Sequence, residues 1–170
     1  MDLKDRIRDI PDFPQQGILF RDITPLLYDP AYFRQAVNMM KDQLQGLDFD
    51  IIAGPESRGF VFGTPLAYLM EKPFIPVRKA GKLPYKTRRA EYELEYGTAV
   101  VEMHEDTVKP GDRVVIVDDL LATGGTARAI CNLVEELGGE VAAMIFLIEL
   151  EALGGRSVLG GYELKTLINY

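Results

Sequence analysis

Short runs of consecutive apolar residues recur along the chain. Each is followed by a polar loop and then by apolar residues at helical spacing. Val114-Val115-Ile116-Val117 opens the clearest of these units. Four β-branched residues in a row suit a strand buried on both faces, as in a parallel sheet. Pro110-Gly111-Asp112 punctuates the chain just before it. After it, Ala127, Ile130, Cys131, Val134 and Leu137 recur at helical spacing, and Gly138-Gly139 ends the run. Asp50 to Gly54 is a second buried strand, with the loop Pro55 to Gly59 and a helix through about Met70 behind it. Phe74 to Val77 gives a third strand, Glu140 to Leu150 a long apolar one, and Tyr162 to Ile168 a short last one. This βαβ order, with parallel strands, predicts a single α/β domain over residues 1–170, a mainly parallel sheet flanked by helices.

The rest of the chain departs from that rhythm. Leu3 to Ile10 reads as a short amphipathic helix ended by Pro11, and Gly17 to Pro25 as a loop. Asp29-Pro30 reads as an N-cap with Pro at the first helical position. Phe33, Val37, Met40 and Leu44 then form the buried stripe of that helix. Leu150 to Arg156 reads as a loop. Between the third strand and Thr98, six cations fall within twelve residues: Arg78, Lys79, Lys82, Lys86, Arg88 and Arg89. Tyr92 to Glu95 and Thr98 to His104 alternate in strand fashion, so residues 78–98 are expected to form a hairpin or flexible loop extending from the sheet. A solvated charge run is the ordinary explanation of such a segment. Its place between two strands also suits a lid that carries positive charge over an anion. His104 shares a face with Glu102 and Val100, which places it on the outer side with no role.

The chemistry gathers behind Val117. Asp118 and Asp119 sit side by side at a strand end, followed by Ala122-Thr123-Gly124-Gly125-Thr126 and a helix. Glycines let backbone N–H groups approach an anion, and a helix N-terminus adds partial positive charge. The two acids would repel phosphate, but they accept from sugar hydroxyls or hold a hydrated Mg²⁺. The combination suggests a phosphorylated sugar. A strand end with a helix N-cap and no ligand is the plain alternative. The loop lacks the Lys of a P-loop and the G-x-G-x-x-G spacing of a dinucleotide site. Arg58, in the loop after the second strand, is a candidate anion ligand or a surface ion-pair partner, since such loops gather at the C-terminal sheet edge.

Composition narrows the class. The chain has 170 residues, 47% of them hydrophobic, so one domain with a full core is expected. A net charge of −7 argues against nucleic acid as the partner. A single Cys excludes an intrachain disulfide or a thiolate zinc cluster. No apolar run suggests a membrane span, and Met1-Asp2-Leu3-Lys4 does not open a signal peptide, so a cytoplasmic place is expected.

The apolar strand, the acid pair and Ala-Thr-Gly-Gly-Thr together resemble the 5-phosphoribosyl-1-pyrophosphate (PRPP) signature of the type I phosphoribosyltransferases. Further stretches narrow the resemblance to the members that use adenine: 11–14, 17–25, Ser57-Arg58-Gly59-Phe60, 78–84 and Leu94-Glu95-Tyr96-Gly97. Ala80 departs from the basic residue some members carry. The resemblance implies a type I phosphoribosyltransferase fold and the reaction of adenine with PRPP to give AMP and pyrophosphate, with Mg²⁺ carried by PRPP and no direct protein metal ligand. It places Asp118 and Asp119 on the ribose hydroxyls and Ala122, Thr123, Gly124, Gly125 and Thr126 on the 5′-phosphate. It places Glu56, Ser57, Arg58, Arg78, Lys79, Lys82 and Tyr96 on pyrophosphate, with a non-proline cis peptide at Glu56–Ser57. Glu95 is the expected catalytic residue, assisting proton removal from the purine. Phe20 and Leu150 are expected to sandwich adenine, with backbone groups of Leu19 and Arg21 reading its amino edge. A homodimer is implied, with Arg78 the candidate for reaching the partner's site. The competing expectations are a phosphoribosyltransferase for another base, oxo-purine or pyrimidine, and a PRPP-sensing regulator without chemistry.

Overall fold

The computed structural model describes residues 1–94 and 97–170. Its elements are the strands β1 (Arg8–Ile10), β2 (Phe20–Asp22), β3 (Ile51–Pro55), β4 (Phe74–Lys79), β5 (Thr87–Glu93), β6 (Thr98–His104), β7 (Arg113–Leu121), β8 (Glu140–Glu149) and β9 (Leu164–Asn169). The helices are α1 (Thr24–Tyr28), α2 (Pro30–Gln43), α3 (Arg58–Met70), α4 (Gly125–Glu136) and α5 (Gly155–Val158). Among the described residues, seven strands form one sheet in the order β5-β6-β4-β3-β7-β8-β9. The pairs from β4 through β9 are parallel, while β6 joins β4 and β5 antiparallel.

The apolar run of β7 works through its two-residue period. Val114 and Ile116 pack with the Ile130, Leu133 and Val134 stripe of α4 on one face. Val115 and Val117 pack with Val37, Met40, Phe62 and Leu66 of α2 and α3 on the other. A strand covered on both faces needs no polar alternation, which is why its sequence has none. Chain order leaves β3 toward β4 on one side and β7 toward β8 on the other. The carboxyl ends of β3 and β7, paired along Ile51–Ala53 and Val114–Ile116, therefore open at the point where the strand order reverses.

Asp29 caps α2 as expected, accepting from the N–H groups of Ala31 at 3.1 Å and Tyr32 at 3.4 Å. The N-terminal expectation is corrected. Only Leu3–Arg6 is helical, as a single 3₁₀ turn, and Arg8–Ile10 pairs antiparallel with Phe20–Asp22. Eight residues are too few for an isolated helix to outweigh pairing with a second strand. The expected loop 17–25 thus contains β2 and the start of α1, with Pro25 in its first turn. The 150–156 loop likewise holds a 3₁₀ turn, Glu151–Leu153, and the start of α5.

The segment 78–98 is also more ordered than a loop. Residues 87–93 pair along β6 from Thr87–His104 to Glu93–Thr98. Arg88 and Arg89 lie on that paired strand, and the stretch between β4 and β5 is limited to 80–86. The outer-face reading of His104 fails too, because its same-face neighbour Glu102 is only 1% exposed. A buried Glu in a strand mimics a solvent face in any hydropathy pattern.

Candidate active site

The acid pair lies near the carboxyl end of β7, ahead of its last residues Leu120 and Leu121. Asp118 accepts from the Asp119 N–H at 2.8 Å, and Asp119 is buried. Arg58, the first residue of α3, brings its Nε to 2.9 Å from Asp119 Oδ2. Burial pushes the Asp118 carboxyl well above the usual range, and the Asp119 charge pushes it further. Burial also raises Asp119, while the Arg58 guanidinium pulls it part of the way back. Two crowded carboxylates with one cation against Asp119 form a site that favours added positive charge or hydroxyl donors.

Around this pair lies a cavity of about 320 Å³. The ends of β3 and β4 contribute Glu56, Ser57, Arg58, Arg78 and Lys79, and the end of β7 contributes Asp118, Asp119, Ala122 and Thr126. A smaller cavity of about 80 Å³ adjoins it, lined by the loop Ala122-Thr123-Gly124-Gly125-Thr126. There the first N–H groups of α4 are unpaired by the helix itself and suit a phosphate. Gly124, at φ +86°, makes the left-handed turn into α4 that a side chain would strain. Gly155 packs so tightly behind it that a Cβ would lie 2.4 Å from the Ala122 carbonyl oxygen.

The Glu56–Ser57 peptide is cis. Glu56 lines the cavity with its carboxylate taken up by neighbouring donors. Its carboxylate accepts from Arg78 Nε at 3.2 Å and from the Lys79 N–H at 2.8 Å. Its N–H donates to the Val77 carbonyl at 2.9 Å. The Lys79 N–H, then burial acting against it, then Arg78 set its carboxyl, with a net shift below the usual range. The Glu56 carboxylate thus orients the cations that line the cavity with it. Arg78 lines the cavity of its own chain and also donates to the Lys82 carbonyl at 3.4 Å. The Lys82 side chain is exposed and does not line the cavity.

Leu19, Phe20, Arg21 and Leu150 do not line this cavity. They stand beside it. The Arg58 guanidinium lies 5.8 Å from the Phe20 ring centre, which links the ring to the acid pair. Phe20 meets Phe13 edge-on at 5.2 Å. Leu19 is exposed, and Leu150 donates its N–H to the Leu121 carbonyl at 2.9 Å. The Arg21 side chain leaves for the Tyr170 ring, 3.8 Å away, and for Asp9. In the two-stranded β1-β2 sheet, β2 keeps one edge without a strand partner among the described residues. Backbone donors and acceptors on that edge are free to read a flat polar ligand. Glu95 and Tyr96 lie outside the described residues.

Sequence reasoning passed over Tyr92, Val77 and Val101, which also line the cavity. The Tyr92 ring packs against Gly125, closing β5 over the phosphate loop. Its only signal was the alternation of 92–95, which carries no chemistry. Cys131 is buried on α4, and burial pushes its thiol up to about 12, which excludes it as a nucleophile.

The family of the phosphoribosyl transferase domain matches residues 27–159. An adenine phosphoribosyltransferase of Lachnoclostridium phytofermentans is 56% identical over 168 residues, covering 99% of this chain and 97% of that protein. The crystal structure of adenine phosphoribosyltransferase from Thermoanaerobacter pseudethanolicus aligns with a TM-score of 0.97 at 56% identity, covering 99% of this chain and 98% of that one. The Saccharomyces cerevisiae adenine phosphoribosyltransferase, complexed with D-2,5-dideoxy-2,5-imino-altritol 1,6-bisphosphate and adenine, aligns with a TM-score of 0.93 at 41% identity, covering 97% and 96%.

Proposed function

We infer the activity from one premise: the chain belongs to the phosphoribosyl transferase family. It is an enzyme that transfers the 5-phosphoribosyl group of PRPP to N9 of adenine, giving AMP and pyrophosphate. The observation that carries this into the structure is the meeting of three devices at one sheet edge. The acid pair stands between the phosphate-sized loop and the cationic end of β4. A pentose with anions at both ends fits that order of charges.

Residue roles follow the same order. Asp118 and Asp119 accept from the ribose hydroxyls, and residues 122–126 hold the 5′-phosphate with backbone N–H groups and the Thr123 and Thr126 hydroxyls. Arg58 leaves Asp119 as the hydroxyls arrive and turns its charge to pyrophosphate, with Ser57, Arg78 and Lys79 lining the same space. Fixed cations there stabilise charge that builds on the leaving group as the C1′–oxygen bond breaks. The proton lost from adenine N9 goes to Glu95, and Tyr96 and Lys82 belong to the lid over pyrophosphate; these three rest on the resemblance. Phe20 and Leu150 flank the base while the free edge of β2 at Leu19 and Arg21 reads its amino group.

Two crowded, buried carboxylates also fit an Mg²⁺ ion that enters on PRPP. Such an ion supplies charge neutralisation of pyrophosphate, and Asp118 and Asp119 would face its water shell. We place the enzyme in the cytoplasm as a homodimer; no described helix is long and apolar enough to cross a membrane.

Steady-state turnover with PRPP, Mg²⁺ and a panel of bases tests the assignment. Adenine presents an amino donor beside a bare acceptor, and hypoxanthine and guanine present the reverse. A site built on hydrogen bonds rejects such a mismatch by about 10⁴–10⁵. Turnover of hypoxanthine or guanine within about tenfold of adenine would place this chain with another base.

A further inference from the structure

Glu102 takes no part in the site above, yet it is buried in the middle of β6 with only 1% of its surface exposed. Its chain neighbours Val101 and Met103 are buried apolar residues. A carboxylate is kept in such a place only where partners replace its water. Its cross-strand neighbours are Arg78 on β4 and Arg89 on β5, so it stands between two arginines in a row across three strands. Arg89 Nε lies 2.6 Å from Glu102 Oε1, a close charge pair that is not aligned as a hydrogen bond. The other oxygen, Oε2, accepts from the Gly81 N–H at 3.1 Å.

Gly81 belongs to the irregular stretch 80–86, between the cations Lys79 and Lys82. Each step of that turn is held. The Lys79 N–H goes to Glu56 at 2.8 Å, the Ala80 N–H to the Val100 carbonyl at 3.2 Å, and the Lys82 carbonyl accepts from Arg78 at 3.4 Å. Two carboxylates thus fasten the turn, Glu56 from inside the cavity and Glu102 from the sheet. We propose that Glu102 is a positioning residue for PRPP: it seats the 79–82 turn beside the cavity, with Arg89 as its countercharge. The proposal rests on the phosphoribosyl-transfer reading of the cavity, and its effect falls on the pyrophosphate side alone.

The test uses Glu102→Ala, Glu102→Gln and Arg89→Lys in the full chain. The readouts are KM for PRPP, KM for adenine, Tm, and trypsin cleavage mapped to Lys82 and Lys86 without ligand. Glu102→Ala is expected to raise the PRPP KM about tenfold, the scale of one hydrogen bond to a charged group. It should also speed cleavage in 80–86, with the adenine KM within about twofold of the parent. Glu102→Gln, which keeps an acceptor for Gly81, should fall between, and Arg89→Lys, which keeps the countercharge, should stay near the parent. Unchanged PRPP KM and cleavage in Glu102→Ala overturn the proposal. So does a rise of both KM values that follows the fall in Tm, since that marks a fastener of the fold and nothing more. If Glu102→Ala does not fold, Glu102→Gln decides on the same criteria. A parent protein that turns over no base defeats the assigned activity instead, and loop cleavage then decides the role of Glu102.

Discussion

Asp119 meets Arg58 at 2.9 Å through one carboxylate oxygen while almost wholly buried, so the proposed ribose hydroxyls would compete with a guanidinium for it. Asp119→Asn removes the negative charge that accepts the hydroxyls and offers an N–H to one of them. The expected outcome is a loss of kcat/KM for PRPP of about tenfold to a hundredfold, from roughly 1.5–3 kcal/mol of charged hydrogen bonding. Folding, read by Tm, should change little, and unchanged PRPP kinetics would remove Asp119 from the ribose site. The carboxyl of its neighbour is raised more strongly. The Asp118 carboxyl is raised in the folded protein, chiefly by burial and next by Asp119. A carboxyl raised on folding stabilises the protein when protonated, and that contribution is lost as pH climbs through its folded value. The ligand-free enzyme at neutral pH therefore carries an unfavourable charge. Asp118→Asn keeps the acceptor for the Asp119 N–H and removes that charge. It is expected to raise Tm at pH 7 by about 2–4 °C, the equivalent of roughly 1 kcal/mol in a chain of this size. The gain should vanish at pH 4, and a variant that melts below the parent at pH 7 contradicts the charge argument.

At the scale of elements, the irregular stretch between β4 and β5 is shorter than the cation run that suggested a lid. Arg88 and Arg89 lie on β5, hydrogen-bonded along β6, while Lys82 and Lys86 lie in 80–86. Proteases cut where backbone is free to enter their active sites. Limited trypsin digestion should cut first after Lys82 and Lys86 and late after Arg88 and Arg89, and PRPP with Mg²⁺ should slow the early cuts. First cuts after Arg88 or Arg89, mapped by mass spectrometry, would show that β5 opens as readily as the loop. What the sequence made legible divides in the same physical way. The strands around Ile52, Ile116 and Ile145 and the helices on their faces could be read because burial on both sides leaves unbroken apolar runs. The phosphate loop could be read because its glycines and acids have few other uses. The three-residue strands β1 and β2 could not, since their pairing joins Ile10 to Phe20 across a long gap that no local pattern records. Glu102 was misread because a buried ion pair and a wet surface look alike in hydropathy. Glu56 was assigned to pyrophosphate by resemblance, and only coordinates show its carboxylate turned to Lys79.

At the scale of the whole molecule, the sheet delivers the ends of β3, β4 and β7 to one rim, so residues far apart in sequence share a single cleft. Behind that rim, Gly155 touches the Ala122 carbonyl with no room for even one methyl group. On the other side of Gly155, the same corner runs back to Leu150, and the buried Glu149 fixes it through a two-point grip on Arg156, at 3.0 and 2.5 Å. The corner proposed as the wall for the base and the loop proposed as the cradle for the phosphate thus form one casting, with zero clearance at the seam. Gly155→Ala should force the seam open, lowering stability by about 1–3 kcal/mol and raising KM for PRPP and for adenine together. A variant that loses affinity for only one of the two would show two independent parts. A single casting has a further consequence for how such a chain can change. The proposed lid and base wall can change only through substitutions that leave the seam alone, so new base preferences should arise at Phe20 and Leu150 and never at Gly155.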